Sequence, residues 1–83
     1  MKTKSCIQGN LFIPTGRLKE FVVIDKISAG HTYHNIYNGK ESNYLELCLV
    51  SKYRTVNYKD QATMENDFEE LKTVLAGGRQ NVA

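Results

Sequence analysis

Five tyrosines between residues 33 and 58 are the side chains of this chain best suited to binding. Tyrosine offers a large contact area at low entropic cost and ends in a polar group, so it is enriched in protein interfaces. Basic residues lie between these tyrosines, and aromatic rings beside cations also hold single-stranded nucleic acid. In the purely structural alternative, cross-strand tyrosine pairs only stabilise an exposed sheet face. The candidate residues for binding protein or nucleic acid are Tyr33, Tyr37, Tyr44, Tyr53, Arg54, Lys52 and Lys40.

The histidines and cysteines form no catalytic or metal-binding pattern in the sequence. His31 and His34 are three residues apart, which places them on opposite faces of a strand, so joint metal ligation is not expected. Cys6 and Cys48 are expected to be buried thiols in neighbouring strands, because thiols stay reduced in the cytosol, and nothing in the sequence supports a disulfide between them. Neither lies at a helix N-terminus that would activate a thiolate. Metal binding would require more Cys or His at short spacing, so no metal and no cofactor are expected.

The acidic residues near the C-terminal end of the chain are expected to be ordinary surface charges. Asp67, Glu69 and Glu70 resemble paired carboxylates, but on an amphipathic helix we expect them on the solvated face. Gly77 and Gly78 follow that helix, so they are expected to end it and not to cradle a phosphate. The sequence therefore predicts that the protein is not an enzyme.

Composition indicates one folded domain. The chain has 83 residues, of which 41% are hydrophobic and 24% charged, as in ordinary globular proteins. We expect a single domain over residues 1–78 and a frayed tail over 79–83. No apolar run is long enough for a membrane span or a signal peptide, so the expected location is the cytoplasm, without membrane association.

The net charge of +2 is unevenly distributed. Residues 1–59 carry nine basic and four acidic side chains, a net charge of +5, whereas residues 60–83 carry two basic and five acidic ones, a net charge of −3. Ordinary solvated charge explains this distribution. Two further possibilities are that a basic sheet attracts an acidic partner, or that the helix presents its carboxylates to a basic one.

The clearest structural element in the sequence is a helix over residues 60–76. Asp60 is a suitable N-cap, and acidic residues follow it where the helix dipole favours them. Apolar residues recur at helical spacing and should form one buried face. This face consists of Met64, Phe68, Leu71 and Leu75, and we expect it to pack on Leu45, Leu47 and Leu49.

The upstream residues have the short apolar runs and turn residues that are typical of strands. Predicted strands cover residues 5–13, 18–27, 31–37, 44–50 and 53–58. Asn38 and Gly39 form the strongest turn signal, since both tolerate a positive φ, and residues 40–43 are expected to lengthen that loop. The predicted fold class is α+β, with a four- to five-stranded antiparallel meander packed by one C-terminal helix.

One helix covers only one face of such a sheet. The second predicted strand is apolar on both faces in the run from Phe21 to Ile24, so the other face also requires apolar cover. A homodimer would bury that face symmetrically, whereas a strongly bent sheet would cover itself. The sequence leaves both solutions open and favours the dimer.

The segments YRTVNY (residues 53–58) and ENDFEELKTVL (residues 65–75) resemble the last third of small proteins encoded by bacteriophages and mobile elements. In these proteins a β-meander runs into one amphipathic helix. The resemblance implies a compact protein that acts by binding, with anti-CRISPR inhibitors of host defence complexes among the examples, and a location in the host cytoplasm. We therefore expect a macromolecular partner, and we favour a protein. Two alternatives are a single-stranded nucleic acid bound to the same tyrosine-bearing face and a structural subunit of an assembly.

Overall fold

The computed structural model describes residues 5–17 and 19–78 of the chain. Among these residues, six strands precede one α-helix. The strands are β1 (Ile7–Gln8), β2 (Leu11–Phe12), β3 (Val22–Val23), β4 (Ile27–Tyr37), β5 (Lys40–Leu49) and β6 (Tyr53–Tyr58), and the helix is α1 (Gln61–Thr73). The tail expected to fray, residues 79–83, lies outside the described residues.

The first sheet is small and has the order β1-β2-β3, with antiparallel neighbours. A turn at Gly9 and Asn10 joins β1 to β2, and Gly9 has a φ of +58°, which favours glycine. The Ile24 N–H donates to the Asn10 carbonyl oxygen at 2.9 Å, which attaches the end of β3 to this turn. A short 3₁₀ turn, Ile24–Lys26, then leads into β4.

The second sheet has the order β4-β5-β6 and is a three-stranded antiparallel meander. Asn38 and Gly39 have φ values of 53° and 76° and form a two-residue turn, as the sequence predicts. Residues 40–43 do not lengthen this turn but belong to β5, where Lys40 pairs directly with Tyr37. Strand β6 pairs only with Asn43 to Cys48, so the tip of the β4–β5 hairpin extends beyond it as a two-stranded ribbon.

Helix α1 begins where the sequence predicts. The Asp60 side chain accepts a hydrogen bond from the Thr63 N–H at 2.9 Å, which satisfies one of the free donors of the first turn. Met64 and Leu71 are fully buried, Phe68 is partly buried and Leu75 is exposed, so the apolar face is narrower than expected. The α-helix ends at Thr73 and continues as a π turn, Val74–Gly78.

The expectation of one four- to five-stranded meander is therefore wrong, because the strands form two three-stranded sheets. The predicted first strand folds back on itself at Gly9, where the backbone adopts a positive φ. Of the predicted second strand, residues 18–27, residue 18 lies outside the described residues, and those from 19 onward are paired only at Val22–Val23 before the 3₁₀ turn. The two cysteines are consequently not in neighbouring strands, because Cys6 precedes β1 and the half-buried Cys48 lies in β5.

Both sheets and the helix contribute to one hydrophobic core. The first sheet supplies Phe12 and Val22, while β5 and α1 supply Leu45 and Leu71. The first sheet thus provides the apolar layer that the sequence alone did not reveal. The buried apolar side chains are Cys6, Phe12, Val22, Ile24, Leu45, Leu47, Val56, Tyr58, Met64 and Leu71.

Candidate binding surface

Alternation along the strands gives the second sheet two different faces. On β5, Leu45 and Leu47 point toward α1 and define the inner face, whereas Tyr44 and Glu46 point to the other side and define the outer face. The register of β4 and β6 extends this assignment across the sheet. The outward positions are Ala29, His31, Tyr33, Asn35 and Tyr37 on β4, Lys40, Ser42, Tyr44, Glu46 and Cys48 on β5, and Tyr53, Thr55 and Asn57 on β6.

Four of the seven candidate binding residues are tyrosines, and the register places all four of them on this outer face. The rings of Tyr33 and Tyr44 are stacked, with centroids 4.7 Å apart and planes 22° from parallel. Tyr37 and Tyr53 are more exposed, at 71% and 67% of their surface. Part of the tyrosine surface therefore supports the sheet, while the rest is free to contact another molecule.

Polar side chains complete the outer face. His31 Nε2 lies 3.3 Å from Glu46 Oε1, across the β4–β5 pair. This pair lines an open depression of about 320 Å³ together with Ala29, Gly30, Cys48 and Tyr53. The depression combines an aromatic ring, a histidine–carboxylate pair and small residues, which suits the side chain of an incoming ligand.

Of the three basic candidate residues, only Lys40 lies on the outer face, at its end beside the turn; Lys52 and Arg54 do not. Lys40 points outward beside the turn, and Lys52 is exposed in the turn between β5 and β6. Arg54 pairs with Leu47 and therefore points inward, where its Nη2 lies 3.4 Å from Glu20 Oε1. Hydrogen bonds and charge from Arg17, and secondarily from Arg54, lower the pKa of Glu20.

Tyr58, although close in sequence to the candidate tyrosines, belongs to a buried polar cluster beneath the inner face. Asp67 Oδ2 accepts hydrogen bonds from the Tyr58 hydroxyl and from the Thr15 N–H, both at 2.8 Å, and Asp67 Oδ1 accepts from Thr15 Oγ1 at 2.7 Å. Burial, and then the hydrogen bond to Asp67, raise the pKa of Tyr58 well above its usual value. The cluster joins the segment after β2 to β6 and α1.

The expectation that Asp67 and Glu70 lie on a solvated helix face is wrong. Asp67 is only 4% exposed, because it lies three residues after Met64 and four before Leu71, on the same side of the helix. Glu70 is half-buried and its carboxylate accepts hydrogen bonds from the Ser5 hydroxyl and from the Cys6 thiol, the latter at 3.4 Å. The helical spacing of Asp67 is the signal by which its burial could have been found.

Cys6 is held in this cluster as a neutral thiol. Burial is the main cause that raises the pKa of Cys6 far above its usual value of 9.0, and the charges of Asp67 and Glu70 act in the same direction. A thiol with a raised pKa is a poor nucleophile at neutral pH. Cys6 is 3% exposed and its thiol donates to Glu70, so the side chain contributes to packing and hydrogen bonding in this cluster.

A second polar group, not expected from the sequence, lies on the inner side of the hairpin. His34 Nδ1 is 2.7 Å from Asn43 Oδ1, and Asn43 Nδ2 donates to Glu41 Oε2 at 3.0 Å. Asn43 is 3% exposed, so these partners satisfy an amide that would otherwise be buried at a cost. They stabilise the base of the ribbon that carries Tyr33 and Tyr37.

Within the described ranges, 5–17 and 19–78, no group of three or more His, Cys, Asp or Glu side chains is arranged to hold a metal ion. In the same ranges, no helix combines the length and the apolar composition needed to cross a membrane. The fold and the surface define an α+β domain with one open, tyrosine-bearing sheet face. Comparisons of the chain with protein-family models, with curated proteins and with solved structures gave no match.

Proposed function

We propose that this protein is a non-enzymatic binding module that recognises another protein through the outer face of the second sheet. The observation that supports the proposal most directly is the composition of that face. It presents four tyrosines together with histidine, asparagine, serine and threonine, and none of the described residues forms a layer over it. Rigid aromatic side chains surrounded by small hydrogen-bonding groups are the composition that protein-binding surfaces favour.

Charge favours a protein over a nucleic acid as the partner. The outward strand positions include one basic residue, Lys40, and one carboxylate, Glu46, so they have almost no net charge when histidine is neutral. Nucleic-acid affinity depends on several Lys or Arg side chains that neutralise phosphates. Arg54, which would have added to such a patch, points to the opposite face and pairs with Glu20.

Single-stranded nucleic acid is the alternative partner for the same face. The stacked Tyr33 and Tyr44 rings support it, because bases stack on such aromatic platforms. A titration of a fluorescent mixed-sequence oligonucleotide at increasing salt separates the two proposals. Binding at low salt that falls steeply with salt and is lost in Tyr37→Ala would replace the protein-binding proposal.

The class of protein partner rests on the resemblance to phage-encoded proteins. If the chain is such a protein, a host defence complex of the CRISPR type is the candidate partner, and the protein would inhibit it in the host cytoplasm. A direct assay is interference against a targeted plasmid in cells that express the chain. Unchanged interference against several such systems would exclude this class of partner without excluding a binding function.

The binding proposal itself is tested by affinity capture with matched aromatic variants. We expect Tyr37→Ala combined with Tyr53→Ala to abolish the capture of a specific host protein by the intact chain. Phe21→Ala is the matched control, because Phe21 is a comparably exposed aromatic residue, at 56%, located outside the second sheet. Equal capture by both variants would show that the outer face is not the binding surface.

A further inference from the structure

The two edges of the second sheet are protected very differently. Strand β6 has six residues, includes Arg54, is flanked by Lys52 and Lys59, and has Arg17 Nη1 bonded to its Asn57 carbonyl oxygen at 3.2 Å. Strand β4 has eleven residues, and none of them is Lys, Arg, Asp, Glu or Pro. Charged side chains, proline and short length are the usual means by which an edge strand avoids pairing. Strand β6 has such protection, and β4 lacks it.

The register identifies which backbone groups of β4 are available. Tyr37 and Lys40 flank a two-residue turn, so they form a hydrogen-bonded pair, and the pattern alternates along the antiparallel ladder. Every second residue of β4 therefore directs its N–H and C=O away from β5. These residues are Gly30, Thr32, His34 and Ile36.

An exposed apolar side chain and an apolar groove lie near opposite ends of this edge. Ile36 is 63% exposed on the inner side of the ribbon. At the other end, a groove of about 280 Å³ lies between β4 and α1 and is lined by Gly30, Leu47, Phe68 and Leu75. Gly30 lets the Leu47 side chain pack closely against β4 beside this groove, because a Cβ at position 30 would lie 2.9 Å from Leu47 Cδ2.

We propose that β4 pairs antiparallel with β4 of a second copy of this chain, on a two-fold axis at Tyr33. In this register Thr32 faces His34 of the second copy and Gly30 faces Ile36 of the second copy, so all four edge residues can exchange both backbone hydrogen bonds. Ile36 of each copy then lies against the groove beside Gly30 of the other. A register shifted by two residues in either direction leaves part of the edge unpaired and separates Ile36 from the groove.

The proposed pairing is compatible with the side chains on both faces. The two-fold axis is perpendicular to the sheet, so both helices lie on one side and both outer faces on the other. Tyr33 meets its own counterpart, His31 meets Asn35 of the second copy, and no two acidic or two lysine side chains oppose each other. The stacked pair of Tyr33 and Tyr44 becomes a row of four tyrosines across a continuous six-stranded sheet.

This dimer differs from the one favoured by the sequence alone. The dimer favoured by the sequence places the apolar run from Phe21 to Ile24 in one large sheet that needs cover on both faces, whereas Val22–Val23 form a strand of the first sheet and Ile24 is buried in the 3₁₀ turn. The proposal made here rests on the β4 edge and on the match of Ile36 to the groove. It does not depend on what the outer face binds.

Disulfide crosslinking tests the register. Tyr33→Cys would place two thiols directly opposite each other in a non-hydrogen-bonded pair, where the Cα separation of about 4.5 Å permits a disulfide. Tyr37→Cys is the matched control, since Tyr37 has the same strand and face but would oppose Ala29 of the second copy. We expect mild oxidation to give a covalent dimer of Tyr33→Cys, and little from Tyr37→Cys or from the unmodified chain with its own two cysteines. Equal crosslinking of both variants, or none of Tyr33→Cys, would overturn the register.

Sedimentation velocity at micromolar concentration tests the dimer itself. We expect a mass of two chains for the unmodified protein and of one chain for Ile36→Asp, which would place a carboxylate against the apolar groove. Phe21→Asp is the control at another exposed apolar position, and it should remain dimeric. Circular dichroism of each variant separates loss of the dimer from loss of the fold. A monomeric unmodified protein, or a dimer that Ile36→Asp leaves intact, would overturn the proposal.

Discussion

The inner and outer faces of the second sheet are built from alternating residues of the same three strands, yet they differ in what covers them. Leu45 and Val56 on the inner face are fully buried beneath α1 and the first sheet. Tyr37 and Tyr53 on the outer face keep most of their surface in solvent. Because α1 and the first sheet pack on the inner face, the side chains there support the fold.

Tyrosine illustrates this most directly, because the chain uses it on both faces. Tyr58 is 9% exposed and its hydroxyl donates a hydrogen bond to the buried carboxylate of Asp67, so it stabilises the fold. Tyr53, five residues earlier on the same strand, faces the other way and is largely exposed. Substitutions on the two faces should therefore separate stability from binding.

The largest effect is expected for Leu71→Ala on the covered side. Leu71 is 1% exposed in the core, so the substitution should lower the free energy of unfolding by about 2–5 kcal/mol. Urea denaturation followed by circular dichroism measures it. Leu75→Ala, one turn further along, is the control and should cost less than about 1.5 kcal/mol, because Leu75 is 37% exposed. Equal losses at the two positions would contradict the placement of α1 on the sheet.

The next effect is expected for Asp67→Ala. The substitution leaves the Tyr58 hydroxyl and the Thr15 N–H without their acceptor, which should cost about 2–3 kcal/mol. Asn66→Ala, at the adjacent exposed position, is the control and should change the free energy of unfolding by no more than about 0.5 kcal/mol. The same urea titration compares the two variants. A loss at Asn66 as large as that at Asp67 would show that the cluster does not stabilise the inner side.

Alkaline pH should weaken the covered side without a substitution. The pKa values of Cys6 and Tyr58 are raised above their usual 9.0 and 10.0, so the folded protein keeps both protons while the unfolded chain loses them. The free energy of unfolding should be unaffected below pH 9.0 and then fall by about 1.4 kcal/mol per pH unit for each ionised group. Urea midpoints measured across this range test it. Tyr58→Phe should show a shallower decline, and an identical slope would mean that Tyr58 ionises freely in the folded protein.

The smallest effects on stability are expected on the outer face. Tyr33→Ala removes the stack with Tyr44 and should cost about 0.5–1.5 kcal/mol. Tyr53→Ala should change the free energy of unfolding by less than about 0.5 kcal/mol, since its ring is mostly in solvent. Thermal denaturation of both variants provides the measurement. A loss at Tyr53 comparable to that at Leu71 would mean that the outer face is covered in solution.

Local signals predicted the parts of the fold that local chemistry determines. Asp60 begins the helix, Asn38 and Gly39 form the turn, and β6 has the bounds expected from residues 53–58. The first sheet escaped prediction because strands of two residues show no periodicity. Its formation depends on the backbone turn at Gly9 and on long-range packing, neither of which the apolar pattern reports.

Local sequence patterns also predict the positions of some candidate binding residues. Alternation places Tyr33 and Tyr37 on one face, and the register brings Tyr44 beside Tyr33. The expectation that Arg54 shares a surface with the tyrosines is wrong, because adjacent strand residues point to opposite faces and Arg54 follows Tyr53 directly. To identify β4 as an unprotected edge strand, the order of the strands in the sheet must be known, and local sequence patterns do not report that order.

The Asp67 cluster also has a consequence for how the protein is made. Thr15 is separated from Asp67 by 52 positions, and Cys6 from Glu70 by 64. During synthesis the first sheet therefore leaves the ribosome well before the helix that holds it in place. Until that helix emerges, Phe12 and Val22 lack the part of the core that Met64 and Leu71 supply, so these long-range contacts form only after α1 is available. The first sheet is thus translated before α1 but cannot complete its contacts until α1 is available.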